Sequence, residues 1–413
     1  MTTLRFPRAA YSIASQGLVS ACNFLLCLAL LYFADGKHYV AFLLFINIVQ
    51  LLTGLQNALY ISPVGVLIPR MEPDQVTRSE RAAYRLSWLI ALVGVPFIAY
   101  FLVKEPRTTP TSLGITLAAA LGTVLLLQRE IARNACLIRS DLAVLVKYDA
   151  LYFALAMMLT GVAMGWHGLT FVGAVVAYGL PAALSRLSKP KWPAARQVSA
   201  SVAVKAFNPQ FNAEVMQVVR WSVPGVVITW LFSNGYWFIL ERTQDTTTVA
   251  NMGAARLLFA PVGLLIQGWL MQLRPLSVVM AHDGRMGELR KNVMRHSAAG
   301  ALFVGLVTAI GYVLLKYFVQ WLPRSMRVAG VVDYVFVWGA YFAVYWFRCG
   351  ISTLLQAKAV GFRVVFFANV VVCIVFYILF AASLNHVPAP ISLAMLIIAE
   401  LLMILLLSRQ LND

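Results

Sequence analysis

The stretch MLIIAELLMILLL (residues 395–407) decides the class of fold, because it is apolar throughout except for one carboxylate, Glu400. A helix of about 20 consecutive apolar residues crosses the hydrocarbon core of a bilayer, and the window 391–408 around this stretch is close to that length. Windows of the same kind recur along the whole chain. Taken between charged or Pro/Gly breaks, they predict about twelve membrane spans, at 10–33, 39–68, 86–103, 111–130, 147–165, 170–186, 221–240, 249–273, 297–316, 331–354, 364–384 and 391–408.

The composition agrees with a membrane protein. Of the 413 residues 61% are hydrophobic and only 12% are charged, and the mean hydropathy is +0.79. A soluble domain is about 45–50% apolar and about 25% charged, so this chain could not cover a soluble surface. We therefore expect an all-α integral membrane protein with little chain left for a soluble catalytic module.

The basic residues indicate how the chain is oriented. With the N-terminus in the cytoplasm, 24 of the 33 Lys and Arg residues lie on the cytoplasmic side, seven lie on the other side, and Arg256 and Arg348 lie inside spans. Short positively charged loops stay in the cytoplasm, so both termini are predicted to be cytoplasmic. We assign the net charge of +17 to orientation and to contact with anionic lipid, and not to nucleic acid.

One polar segment divides the chain. Residues 187–220 contain three prolines and several basic residues, and they separate the sixth apolar window from the seventh. The sequence therefore predicts an N-terminal six-helix bundle at 1–186, a basic cytoplasmic linker at 187–220 and a C-terminal six-helix bundle at 221–413.

Motifs for catalysis and for cofactors are missing from the sequence. We find no Walker A pattern, no H-E-x-x-H, no G-x-S-x-G and no glycine-rich dinucleotide fingerprint. The five cysteines are an odd number without a C-x-x-C pair. We expect no enzyme activity, no metal and no cofactor.

Several spans carry polar residues on one helical face. Gln16 and Asn23 are seven residues apart in the first span, Asn47 and Asn57 lie in the second, and Asn234 lies in the seventh. Such stripes either line a wet pathway or make hydrogen bonds between helices.

The eighth span has the most unusual stripe. Arg256, Gln267 and Arg274 follow a spacing that aligns them on one face of a straight helix, to within about 20°. An arginine at mid-membrane costs about 2.5–3.5 kcal/mol on insertion scales, so Arg256 should face water or an anion, with snorkelling to the interface as the alternative.

The tenth span combines aromatic and cationic residues, and the twelfth adds an acid. Trp338, Tyr341, Tyr345 and Arg348 recur at three and four residues, a face that suits a sugar ring and a phosphate group. An interfacial aromatic belt is the alternative. Glu400 either couples transport to a proton or sodium ion, or is a structural partner of Arg348 or Arg256.

Four segments, in their order along the chain, resemble the MOP superfamily of multidrug, oligosaccharidyl-lipid and polysaccharide exporters, particularly the Wzx-type oligosaccharide flippases. They are SQGLVSACNFLLCLALLY (15–32), LQNALYISPVGVLIP (55–69), QREIARNACLIR (128–139) and ANMGAARLLFAPVGLLIQ (250–267). The resemblance implies two six-helix bundles that form a V-shaped cavity with alternating access. Arg256 matches the charged position of the family's eighth-helix pattern and Pro261 its helix-breaking proline, whereas Val40 departs from the family's usual glycine after the first span.

The resemblance implies a flippase of the bacterial inner membrane, moving a polyprenyl-diphosphate-linked oligosaccharide from the cytoplasmic to the periplasmic leaflet for an O-antigen or exopolysaccharide. We expect a monomer whose partners are this glycan lipid, membrane lipid, a polysaccharide polymerase and a chain-length regulator. The alternative is a cation-coupled multidrug or metabolite exporter, which would need acidic cavity residues. The substrate-binding candidates are Arg256, Arg348, Gln267, Arg274, Gln16, Asn23, Asn47, Asn57, Asn234, Trp338, Tyr341 and Tyr345, with Glu400 as the ion-coupling candidate.

Overall fold

The computed structural model describes residues 6–61, 73–103, 113–138, 141–167, 169–185, 209–318, 331–357, 361–384 and 386–412, and these residues form helices joined by short turns. The chain divides into two compact units, Met1–Val227 (unit 1) and Ile228–Asp413 (unit 2). Most of the predicted linker, residues 187–208, lies outside the described residues.

The described residues of unit 1 form six helices and most of a seventh. The helices are α1 (Phe6–Phe33), α2 (Gly36–Gln56), α3 (Pro73–Val103), α4 (Leu113–Ile138), α5 (Leu142–His167), α6 (Phe171–Leu184) and α7 (Pro209–Trp230), and a π-helical turn at Asn57–Ile61 continues α2. Residues 209–220, which the sequence assigns to the linker, form the first part of α7.

Unit 2 begins at Ile228, near the end of α7, and a second π-helical turn (Leu231–Gly235) follows that helix. The helices that follow are α8 (Tyr236–Thr243), α9 (Thr246–Leu257), α10 (Ala260–His282), α11 (Met286–Tyr317), α12 (Val331–Gln356), α13 (Gly361–Ser383) and α14 (Ala389–Asn412). Among the described residues, eight helices are long and apolar enough to cross a membrane, and the bent pair α9 and α10 would make a ninth. The protein is therefore a multi-pass membrane protein.

Small and aromatic residues pack the helices of unit 1. A Cβ added at Gly179 on α6 would lie 2.9 Å from the Cα of Gly122 on α4, so the two backbones approach as closely as glycine permits. Beside this contact Phe42 of α2 meets the ring of Tyr178 edge to face at 6.1 Å. Close backbone contact and interlocked rings supply packing energy where lipid gives no hydrophobic driving force.

The same helix–turn–helix corner occurs once in each unit, a recurrence that the sequence does not reveal. Residues 31–40 and 241–250 have the same helix–turn–helix pattern and the same order of buried and exposed positions. In each corner an aspartate, Asp35 or Asp245, precedes the second helix in extended conformation. Hydrogen bonds from Thr248 to Asp245 cap α9 and lower the pKa of that carboxyl group. Such a recurrence is typical of transporters built from internal repeats.

Candidate functional site

The predicted aromatic and cationic face of the tenth span lies on α12, the central helix of unit 2. Helices α9, α10, α11, α13 and α14 all pack against α12. As a result most of its side chains are buried, including Trp338, Tyr341 and Arg348. The aromatic stripe is therefore inside the unit and is not an exposed interfacial belt.

The rings on α12 form a continuous column. Trp338 meets Tyr341 edge to face at 5.5 Å, and Tyr341 stacks on Tyr345 at 5.7 Å. Trp338 Nε1 donates a hydrogen bond to the carbonyl oxygen of Met252 on α9 (3.1 Å), and its ring stacks on Trp237 of α8 at 6.3 Å. Trp338 is fully buried, whereas Tyr345 is half-buried. Only the Tyr345 end of the column is therefore open to a ligand without rearrangement.

Arg256 lies against the Trp338 end of this column. Its guanidinium carbon is 5.2 Å from the centre of the Trp338 ring and 5.8 Å from that of Trp237. Arg256 is half-buried, and among the described residues no ion pair or hydrogen bond involves its side chain. Two electron-rich ring faces thus hold the cation and leave its N–H donors available.

The spacing of Arg256, Gln267 and Arg274 led us to expect a straight helix in the eighth span, and this expectation is wrong. The chain bends by 50° between α9 and α10, with Leu258 and Phe259 at the break. The reason is Pro261, which lies in the first turn of α10 and has no backbone N–H to continue the hydrogen bonding of α9. Arg256 therefore lies on the other side of the bend from Gln267 and Arg274, which are both exposed on α10.

Arg348 and Glu400 form an ion pair between α12 and α14. Arg348 Nε lies 2.7 Å from Glu400 Oε2, and the Glu400 residue is fully buried. The N–H does not point well enough at the oxygen for a hydrogen bond, and neither Glu400 oxygen has one within the part of the chain described. The guanidinium also lies 4.7 Å from the centre of the Tyr345 ring. Of the alternatives for Glu400, the structure shows the pairing with Arg348.

The polar candidates outside α12 occupy mixed environments. Asn234 is buried in the π-helical turn before α8, and Asn47 is buried on α2. Gln16 and Asn23 on α1 and Asn57 in the first π-helical turn are half-buried. Within unit 2 the structure thus groups Arg256, Trp338, Tyr341, Tyr345, Arg348 and Glu400. The amide candidates Gln16, Asn23, Asn47 and Asn57 belong to unit 1.

The sequence misses a buried charged cluster in unit 1. Asp149 on α5 accepts from Arg129 Nη2 at 2.6 Å, from Arg133 Nε at 3.2 Å and from Ser15 Oγ at 2.5 Å. Arg133 also bonds Glu130, and the Arg129 guanidinium lies 3.6 Å from the centre of the Tyr152 ring. The sequence places both arginines on the cytoplasmic side at the end of the fourth span, but α4 continues to Ile138 and buries them. The four-residue spacing of the arginines and the lone Asp149 in an apolar window were the available signals.

No group of three or more His, Cys, Asp or Glu side chains within the described residues could hold a metal ion. Among the described residues, the buried arginines Arg129, Arg133 and Arg348 pair with carboxylates, and Arg256 lies against aromatic rings.

Comparison with known proteins shows which solved structures have a similar fold. No protein-family model matches the sequence, and no curated protein is similar to it in sequence. Solved structures do match over almost the whole chain. An outward-facing multidrug resistance MATE family transporter of the MOP superfamily gives a TM-score of 0.68 at 12% identity, covering 98% of this chain and 94% of that chain. An inward-facing form gives 0.62 at 12% identity and the same coverage.

A lipid flippase also matches. The lipid II flippase MurJ, in an inward closed conformation, gives a TM-score of 0.69 at 11% identity, covering 98% of this chain and 87% of that chain. The resemblance drawn from sequence segments is thereby confirmed for the superfamily fold, while the Wzx type stays a prediction. This chain has the all-helical fold of the MOP-superfamily transporters.

Proposed function

We propose that the chain is a flippase that carries a polyprenyl-diphosphate-linked oligosaccharide from the cytoplasmic to the periplasmic leaflet of a bacterial inner membrane. The glycan would serve in cell-surface polysaccharide assembly. Transport would proceed by alternating access, which the outward-facing and inward-facing forms of a MATE family transporter with this fold support.

The observation that carries the proposal is that the side chain of Arg256 contacts aromatic rings and has no carboxylate partner among the described residues. A charged group within a membrane protein normally pairs with an opposite charge, because desolvation without a partner is costly. Arg348, Arg129 and Arg133 follow this rule, and Arg256 contacts two indole rings instead. A guanidinium held by rings and free of carboxylates suits a diphosphate, which it can bind through two parallel N–H donors.

Other candidates would serve the remaining parts of the substrate. Gln267 and Arg274 are exposed on α10, and Gln16 and Asn23 are half-buried on α1, so we assign these four to the glycan and to the second phosphate. We expect Tyr345 to offer its ring to a sugar. Trp338 and Tyr341 are buried, and their role is to hold Arg256 and Tyr345 in place.

The Arg348–Glu400 pair suggests how a proton could enter the cycle. While Glu400 is ionised, the guanidinium of Arg348 stays paired with its carboxylate. Protonation of Glu400 would release the guanidinium for the anionic substrate. If transport runs this way, dissipating the proton gradient at constant membrane potential stops it, and if potential alone drives transport, that treatment leaves it unchanged.

The test uses cells that depend on this protein for their surface polysaccharide. We expect Arg256→Ala to lower export by about tenfold or more, since hydrogen bonds to a charged group contribute about 1.5–3 kcal/mol. Arg256→Lys keeps the charge but loses the fork of donors, so it should retain an intermediate rate. Lipid-linked intermediate should accumulate in the Arg256→Ala strain.

The matched control is Arg363→Ala. Arg363 is also an arginine over an aromatic ring, at 5.8 Å from the centre of Phe367, but it is exposed on α13. Its replacement should leave export unchanged. Normal export by a correctly inserted Arg256→Ala variant, together with a new sensitivity to cationic drugs after deletion of the protein, would instead support the cation-coupled exporter.

A further inference from the structure

A groove of about 600 Å³ opens in unit 1, and none of its lining residues is assigned to transport. It lies between the π-helical turn after α2 and the first half of α3, and is lined by Leu59, Tyr60, Arg81, Arg85, Leu86 and Leu89 among others. Its size falls in the usual range of small-molecule sites, about 300–1,000 Å³.

The floor of the groove is well packed. Tyr60 forms a buried cluster with Ala83 of α3 and Ile131 of α4, and Leu86 packs against that cluster. The shape of the groove is therefore fixed by contacts among three elements of unit 1.

Two arginines lie at one end of the groove. Arg81 and Arg85 are one helical turn apart on α3, and both are exposed. Among the described residues neither guanidinium has an ion pair or a hydrogen bond. Two like charges at this spacing repel each other, and a shared anion would relieve the repulsion.

The exposed surface becomes apolar along α3 beyond the arginines. Leu89, Leu92 and Val93 are 60%, 68% and 75% exposed. A soluble anion would gain nothing from this strip, whereas the chains of a lipid would cover it. Among the described lining residues there is no Asn, Gln, Ser or Thr, and Tyr60 is the single one with a hydroxyl group, so the groove offers few of the amide and hydroxyl groups that bind a sugar.

We infer that this groove binds an anionic phospholipid of the membrane, with its phosphate on Arg81 and Arg85 and its acyl chains along Leu89, Leu92 and Val93. The positive-inside prediction places the headgroup in the cytoplasmic leaflet. This ligand is distinct from the transported glycan lipid, and the inference does not depend on the proposed function.

The experiment measures lipid retained by the purified full-length protein. The protein is exchanged into detergent micelles that contain equal amounts of phosphatidylglycerol and phosphatidylcholine, and the bound lipid is counted by native mass spectrometry. We expect phosphatidylglycerol to be retained selectively. Arg81→Ala/Arg85→Ala should weaken its retention by about twenty-five-fold, because each basic residue near an anionic lipid contributes about fivefold.

Two further variants distinguish lipid binding in the groove from a general effect of positive surface charge. Lys291→Ala/Arg295→Ala removes another exposed pair of basic residues at the same spacing, on α11, and should leave retention unchanged. Ala82→Trp keeps both arginines but fills the groove, which Ala82 lines, and should abolish retention. Thermal melting of each variant verifies that it is folded.

Three results would overturn the inference. In the first, the native protein and Arg81→Ala/Arg85→Ala retain equal amounts of phosphatidylglycerol. In the second, the native protein retains phosphatidylglycerol and phosphatidylcholine equally. In the third, the native protein preferentially retains an added polyprenyl diphosphate. The last result would make the groove a site for the cargo.

Discussion

At the scale of single residues, the stability of this protein depends on how its buried charges are compensated. Arg348 and Glu400 are both buried, and the distance between their charged groups is 2.7 Å. Removing one partner of a buried pair leaves the other charge without compensation, which costs about 3–5 kcal/mol. Removing both leaves no charge behind.

We therefore expect Arg348→Gln and Glu400→Gln each to lower the melting temperature of the purified protein substantially. The double variant should melt at a higher temperature than either single variant. If the losses in the two single variants simply add in the double variant, the pair does not interact and the geometry described here is incorrect.

In unit 1 the carboxylate of Asp149 contacts two buried arginines. It compensates both Arg129 and Arg133 and also accepts from Ser15. Asp149→Asn should destabilise the protein by about 3–5 kcal/mol, because two buried guanidinium groups lose their shared carboxylate.

Asp141→Asn is the matched control for this prediction. Asp141 is half-buried before α5 and accepts only a weak bond from the backbone N–H of Val144, at 3.4 Å. Its replacement should cost at most about 1 kcal/mol. Equal melting temperatures for the two variants would show that Asp149 does not hold the cluster together.

At the scale of elements, the irregular turns explain which side chains can reach one another. In the π-helical turn at Leu231–Gly235, the carbonyl oxygen of Leu231 accepts a hydrogen bond from Tyr377 on α13, at 2.6 Å. Gly235 leaves room for that hydroxyl, because a Cβ added there would clash with Tyr377 Oη. Turns of this kind are often found at functional sites.

Gly235→Ala should therefore destabilise unit 2, and Tyr377→Phe should relieve much of that loss, because it removes the clashing oxygen. Gly225→Ala on α7 is the control, since a Cβ at that position meets no atom within 4 Å. Thermal melting of Gly235→Ala, Tyr377→Phe, the double variant and the control gives the coupling between the two positions. Additive losses for Gly235→Ala and Tyr377→Phe would contradict the described contact.

The sequence predicts the helices well and their interactions poorly. Apolar windows locate the spans, because burying about 20 residues in lipid is a strong local signal. The bend before Pro261 follows from the resemblance, but the π-helical turns at Asn57 and Leu231 have no comparable signature. The extension of α4 to Ile138 is missed because Arg129 and Arg133 look like the end of a span until Asp149, from another helix, compensates them.

The candidate site was also predicted only in part, because the sequence does not show the contacts between helices. Helical spacing alone identifies the face of Trp338, Tyr341, Tyr345 and Arg348. Spacing does not tell whether that face meets a ligand or another helix. The choice of partner for Glu400 and the two indole rings around Arg256 are contacts between helices distant in sequence, so only the structure assigns them.

At the scale of the whole molecule, the proposed transport needs a source of free energy. A membrane potential with the cytoplasm negative favours outward movement of an anion by about 2.3 kcal/mol per charge per 100 mV. A diphosphate with two uncompensated charges would gain about 4–5 kcal/mol, so no ATP site is required.

We accordingly expect the rate of translocation in proteoliposomes to rise with a potassium-diffusion potential of the physiological sign and to fall when that sign is reversed. The measurement is made at equal pH on the two sides. A rate that is unaffected by potential but depends on a pH gradient would contradict potential-driven transport and would favour proton coupling through Glu400.

The central claim is that Arg256 contacts the phosphate groups of a lipid-linked glycan during its translocation. The most direct measurement is flipping of a fluorescent polyprenyl-diphosphate-linked oligosaccharide in proteoliposomes that contain the native protein, Arg256→Ala or Arg363→Ala. The account predicts rapid flipping by the native protein and by Arg363→Ala, and a rate at least about tenfold lower for Arg256→Ala. Equal rates for all three proteins, or no flipping by the native protein above empty vesicles, would contradict it.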